Sequence, residues 1–315
     1  MSGRMKVGHS KLIAPNLEFL PGEWRNGVRR FHIIAEEVQQ ELTNGVTVRA
    51  WGYNGSSPGP VMVAQEGDLV QVVIHNKLPE RTSIHWHGVI VPNQVDGVPE
   101  IGAGNFTDPG NELVLEFPLR QSGTYMYHAH VMDAKQVMMG LSRMLVALPR
   151  VPTALADREF IVMLQEWAVR HGGQSYRTES NRPDSTAGFQ PGIYDINPLS
   201  MDFNYFTING KAYPDTAPLR VRPGERVRIR MGNLSMNAHP MHLHGHTFNV
   251  VSSDGSSLPM PVHKDTINVA PGETWDIEFV ADNPGVWAYH CHKPHHISNA
   301  HQASLGGMFT VVQYV

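Results

Sequence analysis

Residues 116–130 read EFPLRQSGTYMYHAH and residues 278–292 read EFVADNPGVWAYHCH. Laid over one another at an offset of 162, they superpose Phe117 on Phe279, Gly123 on Gly285, Tyr127 on Tyr289, His128 on His290 and His130 on His292. Upstream, EGDLVQVVIHN (66–76) matches PGERVRIRMGN (223–233) at an offset of 157. The same offset carries His85 onto His242, His87 onto His244 and Gly88 onto Gly245. The small drift between the offsets is a loop-length difference. Self-similarity on this scale marks a duplicated domain, and 315 residues suit two domains of about 150 each. Pro149 and Pro152 precede a new apolar run, Phe160 to Leu164, so the expected domains are 1–150 and 151–315.

Each copy reads as strands. Arg226-Val-Arg-Ile-Arg-Met231 alternates polar and apolar, as a half-buried strand does. Leu69 to Ile74 is more continuously apolar and β-branched, as for a more deeply buried strand. Pro-Gly pairs recur at short intervals (58–59, 109–110, 223–224, 271–272), punctuation typical of antiparallel sandwiches. No stretch shows a long amphipathic helical period. The expected class is all-β, two tandem β-sandwiches, with the polar 171–190 segment as a long exposed loop.

Bulk properties narrow the function. A net charge of −4 argues against a nucleic-acid partner. No apolar run approaches the roughly 18–20 residues of a membrane span. The N-terminal segment lacks the apolar centre of an export signal. One cysteine, Cys291, rules out an intramolecular disulfide framework, while 18 His and 15 Met supply metal-ligand types in unusual number.

Those histidines are organised. They form His85-Trp-His87, His128-Ala-His130, His239-Pro-Met-His242-Leu-His244 and His290-Cys-His292, with His296 four residues further on. Alternate residues on a strand share a face, so each His-x-His pair presents two imidazoles together and turns its middle residue away. One such pair is ordinary, but four in register with a domain repeat are not. Eight imidazoles exceed what one structural or catalytic zinc takes. Cys291 points to copper: with His239 and His296 it makes a two-histidine, one-cysteine set, the blue-copper electron-transfer arrangement.

In order and spacing these motifs resemble the multicopper oxidases, the laccase family, whose domains are cupredoxin-like Greek-key β-sandwiches; the length is similar to its two-domain branch. The resemblance runs from about residue 45 to the end. It implies one type 1, one type 2 and two type 3 coppers. His85 and His242 would hold type 2 copper. His87, His128 and His292 would hold one type 3 ion, and His130, His244 and His290 the other. Cys291, His239 and His296 would hold type 1 copper, with Met308 preferred over His301 as its axial ligand. It further implies a small-molecule electron donor oxidised near the edge of His296, with O2 as co-substrate, reduced to water. Asp96, in PNQVDG (92–97), resembles the laccase acid that supplies protons near type 2 copper; a simple Asp-Gly turn is the plainer alternative. A homotrimer sharing the trinuclear site between subunits, and a periplasmic or secreted location, follow from the same resemblance.

The offsets carry His239, Cys291 and His296 back onto Thr82, Ala129 and Ala134, so no type 1 site is expected in the first domain. That separates the chain from copper nitrite reductases, whose type 1 cysteine lies in the first domain. A cuprous-ion oxidase, a copper nitrite reductase-like enzyme and a non-catalytic copper-binding protein remain as alternatives. His246 is expected to be structural, and Met126, Met132, Met138, Met139 and Met144 to be core packing.

Overall fold

The computed structural model describes residues 2–7, 10–101, 105–151, 156–170 and 191–315; the 171–190 segment falls outside the described residues. The chain is nearly all β, as expected. Among the described residues one α-helical turn occurs, Asp133–Gln136.

The first half folds into two facing sheets. In one, Val28–Thr43 runs parallel to Leu69–Asn76, which pairs antiparallel with Glu112–Pro118. In the other, Met62–Gln65 runs parallel to Ser142–Leu148, followed antiparallel by Gly123–His128 and then His85–His87. The second half repeats both patterns. Arg158–Trp167 is parallel to Arg226–Asn233 and that strand antiparallel to Thr274–Val280. Leu219–Val221 is parallel to Phe309–Tyr314, which leads antiparallel to Val286–Cys291 and His239–Leu243. The duplicated sequence is therefore a duplicated topology. Strand alternation fills each core: Phe31, Ile33, Val70, Val72 and Ile74 in the first sandwich, Val227, Ile229, Ile277 and Phe279 in the second.

Three short strands cross a cut at residue 150. Ser10–Ala14 pairs parallel with Arg158–Trp167 and brings Gly3–Val7 with it. Gly192–Asp195 adds to the edge strand Val46–Tyr53. Each sandwich so borrows an edge strand from the other half of the chain, satisfying backbone groups that an open edge would leave unpaired.

The halves pack through a third apolar layer. Leu12, Val63, Met126, Met144, Val146, Ile161 and Met163 meet there. Covering on both faces explains why Arg158–Trp167 is buried throughout. It also places Met126 and Met144 as packing residues, whereas Met132 is exposed. The alternation of Arg226–Asn233 is interrupted here. Arg230, expected on a solvent face, is 4% exposed because the first sandwich covers it. Glu159 Oε2 accepts from it at 2.6–2.7 Å, Asp276 Oδ2 at 2.9 Å and Thr124 Oγ1 at 2.8 Å. Two carboxylates and a hydroxyl thus offset the cost of burying the cation.

Candidate metal centres

Each His-x-His motif lies on or at the end of a strand, and the middle residues turn inward as alternation requires. Trp86, Ala129, Leu243 and Cys291 are all buried in the cores. Sheet register then sets the pairs side by side: His85 is opposite His128, and His242 opposite His290. In the first half the His85 ring lies 5.7, 5.4 and 5.4 Å from those of His87, His128 and His130. In the second half the His242 ring lies 4.8, 5.9 and 5.4 Å from those of His244, His290 and His292. His128 Nδ1 and His290 Nδ1 each lie 2.8 Å from the carbonyl oxygen of the next residue, Ala129 or Cys291. That bond carries the proton on Nδ1 and leaves Nε2 free as a donor to a metal. The described ring contacts among these eight histidines all fall within one half or the other. His244 and His292 are exposed on the single chain.

Two carboxylates attend the matched pair His85 and His242. His85 Nδ1 lies 2.9 Å from Asp96 O and 3.3 Å from Asp96 Oδ1. The turn before Asp96 is pinned by Trp86 Nε1, which donates to Val95 O at 3.0 Å. Gly97, at φ +82°, is required: any Cβ there would overlap the Ile84 carbonyl. So PNQVDG is a turn and also places an acid against His85. In the second half His242 Nδ1 lies 2.9 Å from both Asp265 O and Thr266 Oγ1, and 3.9 Å from Asp265 Oδ1. Sequence reasoning missed Asp265, because the loops carrying the two acids differ in length and no offset aligns them.

On the opposite side of Val286–Cys291 a second donor set converges. His239 Nδ1 and His296 Nδ1 are 3.0 Å apart, and Cys291 Sγ is 3.9 and 3.5 Å from them. His239 and Cys291 are fully buried and His296 nearly so. Burial holds His239 well below the usual imidazole range and His296 down to about 3, and Lys293 adds to both. Burial pushes the Cys291 thiol up to about 11. Two neutral imidazoles and a thiol that gives up its proton to a cation suit a thiophilic metal, and copper fits that donor set. The Phe206 ring stacks on His296 at 4.0 Å.

Met308 and His301 part company here. Cys291 N donates to Met308 O at 3.0 Å, and Met308 N donates to His296 O at 2.8 Å. The Met308 side chain is fully buried in the cluster that contains Cys291. His301 is exposed, with a left-handed backbone (φ 58°), and its ring faces His295.

The first half contains the same framework with other side chains. Ala129 N donates to Leu141 O, and Leu141 N to Gln136 O, matching the two bonds around Met308. Thr82 Oγ1 donates to Gln136 Oε1 at 2.8 Å, where His239 faces His296 in the second half. Gln136, and not Ala134 as the constant offset implied, is therefore the counterpart of His296. A segment two residues longer after Ala129 displaces the alignment. Thr82, Ala129, Gln136 and Leu141 satisfy one another and offer no metal-ligand set of this kind.

His246 is structural, its Nε2 2.7 Å from Tyr314 Oη. Among the described residues no helix is long and apolar enough to cross a membrane.

Known proteins share this organisation. Two family models described as multicopper oxidase match residues 35–151 and 189–305. Copper resistance protein A of Escherichia coli is 32% identical over 279 residues, covering 79% of this chain and 45% of the relative. A multicopper oxidase of Mycobacterium tuberculosis is 30% identical over 251 residues, covering 75% of this chain and 49% of the relative. The chain thus spans about half the length of these relatives. Among solved structures, a blue copper oxidase from Nitrosomonas europaea superposes with a TM-score of 0.76 at 30% identity, covering 90% of this chain and 85% of that one. A copper nitrite reductase from the same organism, at 19% identity and a TM-score of 0.67, shares the fold. With both halves matched by the family models and a relative of similar size aligned over most of its length, the chain belongs to the multicopper oxidase family.

Proposed function

We propose that this chain is a laccase-like oxidase that takes single electrons from a small reducing substrate and delivers them to O2. One observation carries the reading. Cys291 belongs to the buried two-histidine, one-cysteine set, while its neighbours His290 and His292 belong to the histidine set on the other face of the strand. A single peptide segment so joins an electron-entry site to an oxygen site. In this assignment Cys291, His239 and His296, together with Met308, would hold one type 1 copper. His85, His87, His128, His130, His242, His244, His290 and His292 would hold one type 2 and two type 3 coppers. Bound copper supplies the one-electron redox chemistry through which four donor electrons and four protons convert O2 to two waters.

The chain's own residues do the rest. His296, stacked on Phe206, forms the route by which a donor's electron enters. Asp96 holds the Nδ1 side of His85 and stands where a proton can be passed to the oxygen site. Asp96→Asn keeps the turn and removes the titratable group. Turnover should fall by about a hundredfold or more with copper content unchanged, a loss in the range of general acid–base catalysis. Full activity would remove Asp96 from the mechanism. Met308→Leu should shift the visible absorption and reduction potential of the copper-loaded protein; unchanged values would exclude Met308 as axial ligand.

A homotrimer is part of this proposal. Half of the histidines lie on each sandwich, and exposed His244 and His292 leave the second set open on one chain. A neighbouring copy facing its first set toward them would complete and cover the site. The test of function is oxygen uptake by copper-loaded protein with a phenolic donor. Uptake driven only by cuprous ion would favour a copper-handling oxidase, the reading to which the likeness to copper resistance protein A points. Nitrite consumption would favour a reductase. A blue protein that consumes neither would be a copper-binding protein.

A further inference from the structure

Behind His239 lies a buried polar assembly that the ligand set does not account for. His239 Nε2 is 2.8 Å from Ser235 Oγ, and that hydroxyl lies 2.5 Å from Asn233 Oδ1, an acceptor to which it donates. The serine is therefore left to accept from His239 Nε2–H, which fixes the tautomer with Nδ1 bare and turned toward Cys291 and His296. Glu166, whose side chain is fully buried, has Oε2 3.9 Å from His239 Nε2. Its Oε1 accepts from Met236 N and Asn237 N, each at 2.8 Å, and the Asn237 amide reaches both oxygens at 3.2 and 3.1 Å. Every contact named is with a donor: burial raises the Glu166 carboxyl, while these hydrogen bonds and the charge of Lys293 oppose that rise and favour the carboxylate form.

The first sandwich provides an internal control. Asn76 shapes the 76–80 turn as Asn233 shapes 233–237. Asn76 Oδ1 accepts from Leu78 N, and its amide donates to Glu80 O and Thr107 O. Asn233 Oδ1 accepts from Ser235 N, and its amide donates to Asn237 O and Val269 O. The turn is thus retained in both halves for structural reasons. The hydroxyl is not: buried Leu78 stands where Ser235 stands. The serine accompanies the cysteine-bearing site and is not needed to build the turn.

We propose that Ser235 and Glu166 are positioning residues of the type 1 site, Ser235 locking the His239 tautomer and the Glu166 carboxylate favouring the oxidised, more positive state of the metal. This rests on the assignment of Cys291, His239 and His296 to type 1 copper. The experiment uses full-length, copper-loaded protein and reads copper content, visible absorption, electron spin resonance and the type 1 potential. Glu166→Gln is expected to keep its copper and raise the potential, since a negative charge beside the oxidised ion is lost. Ser235→Ala is expected to weaken copper retention about 10- to 100-fold, as loss of a partner behind a ligand does, and to alter the copper hyperfine splitting; Ser235→Thr should restore both. A copper-replete Glu166→Gln protein with an unchanged or lowered potential overturns the role of Glu166. Unaltered retention and splitting in Ser235→Ala overturns that of Ser235. Wild-type protein loaded with copper yet lacking a cysteine-to-copper absorption would instead refute the type 1 assignment itself. Melting of the metal-free variants identifies a folding defect, which would mark either residue as structural and also overturn its proposed role.

Discussion

Cys291→Ser should abolish the blue absorption of the copper-loaded protein and lower oxygen uptake with a phenolic donor by at least about a thousandfold, or about 4 kcal/mol at 1.36 kcal/mol per decade. The expectation rests on what the sulfur does in place. It is the one thiolate in a set otherwise made of two imidazoles and a thioether, and a hydroxyl oxygen offers neither its covalency to copper nor its electron route. The substitution is nearly isosteric at a fully buried position, so the sandwich should stand. The histidine set on the other face is untouched, and copper bound there should remain. Copper analysis, visible spectroscopy and oxygen uptake check the three parts separately. Retained turnover would show that electrons enter elsewhere, and the proposed division into entry and oxygen sites would fail.

The second large effect concerns assembly. His85→Ala damages the first-half histidine set and His242→Ala the second-half set, so each variant alone should be inactive. If the oxygen site forms between neighbouring copies, one chain's intact first half can meet another's intact second half. Equal amounts of the two, dissociated and reassembled together, should regain about a quarter of wild-type activity, because one head-to-tail interface in four then pairs two intact halves. A site closed within one chain would give no recovery. Light scattering on the same samples establishes whether the copies associate at all. Recovery without association, or association without recovery, would each count against a shared site.

The two results probe features that were unequally legible in the sequence. The duplication, the β class and the grouping of eight histidines followed from spacing, since a period of two puts both members of each pair on one face wherever the strand lies. The two-histidine, one-cysteine grouping in the second half was legible too, as was its lack of a counterpart at Thr82 and Ala129. What failed were inferences needing a constant offset through loops. Ala134 was matched to His296, yet backbone bonding puts Gln136 there. Asp265 had no counterpart in register with Asp96, though both attend a matched histidine. The burial of Arg230 and the exchange of Ser10–Ala14 and Gly192–Asp195 between sandwiches depend on which surface covers which, and no local period records that.

The sequence by itself determined which side chains share a strand face, and hence that His290 and His292 look one way while Cys291 looks the other. Covalent geometry enforces that alternation without reference to the rest of the chain. Only the tertiary structure decided what each face meets: His239 and His296 brought to Cys291 across separate strands and turns, Met308 and not His301 held beside them, and Ser235 and Glu166 set behind His239. Those choices rest on packing and on hydrogen bonds between residues far apart in the chain, whose partners are set only when the sandwiches close.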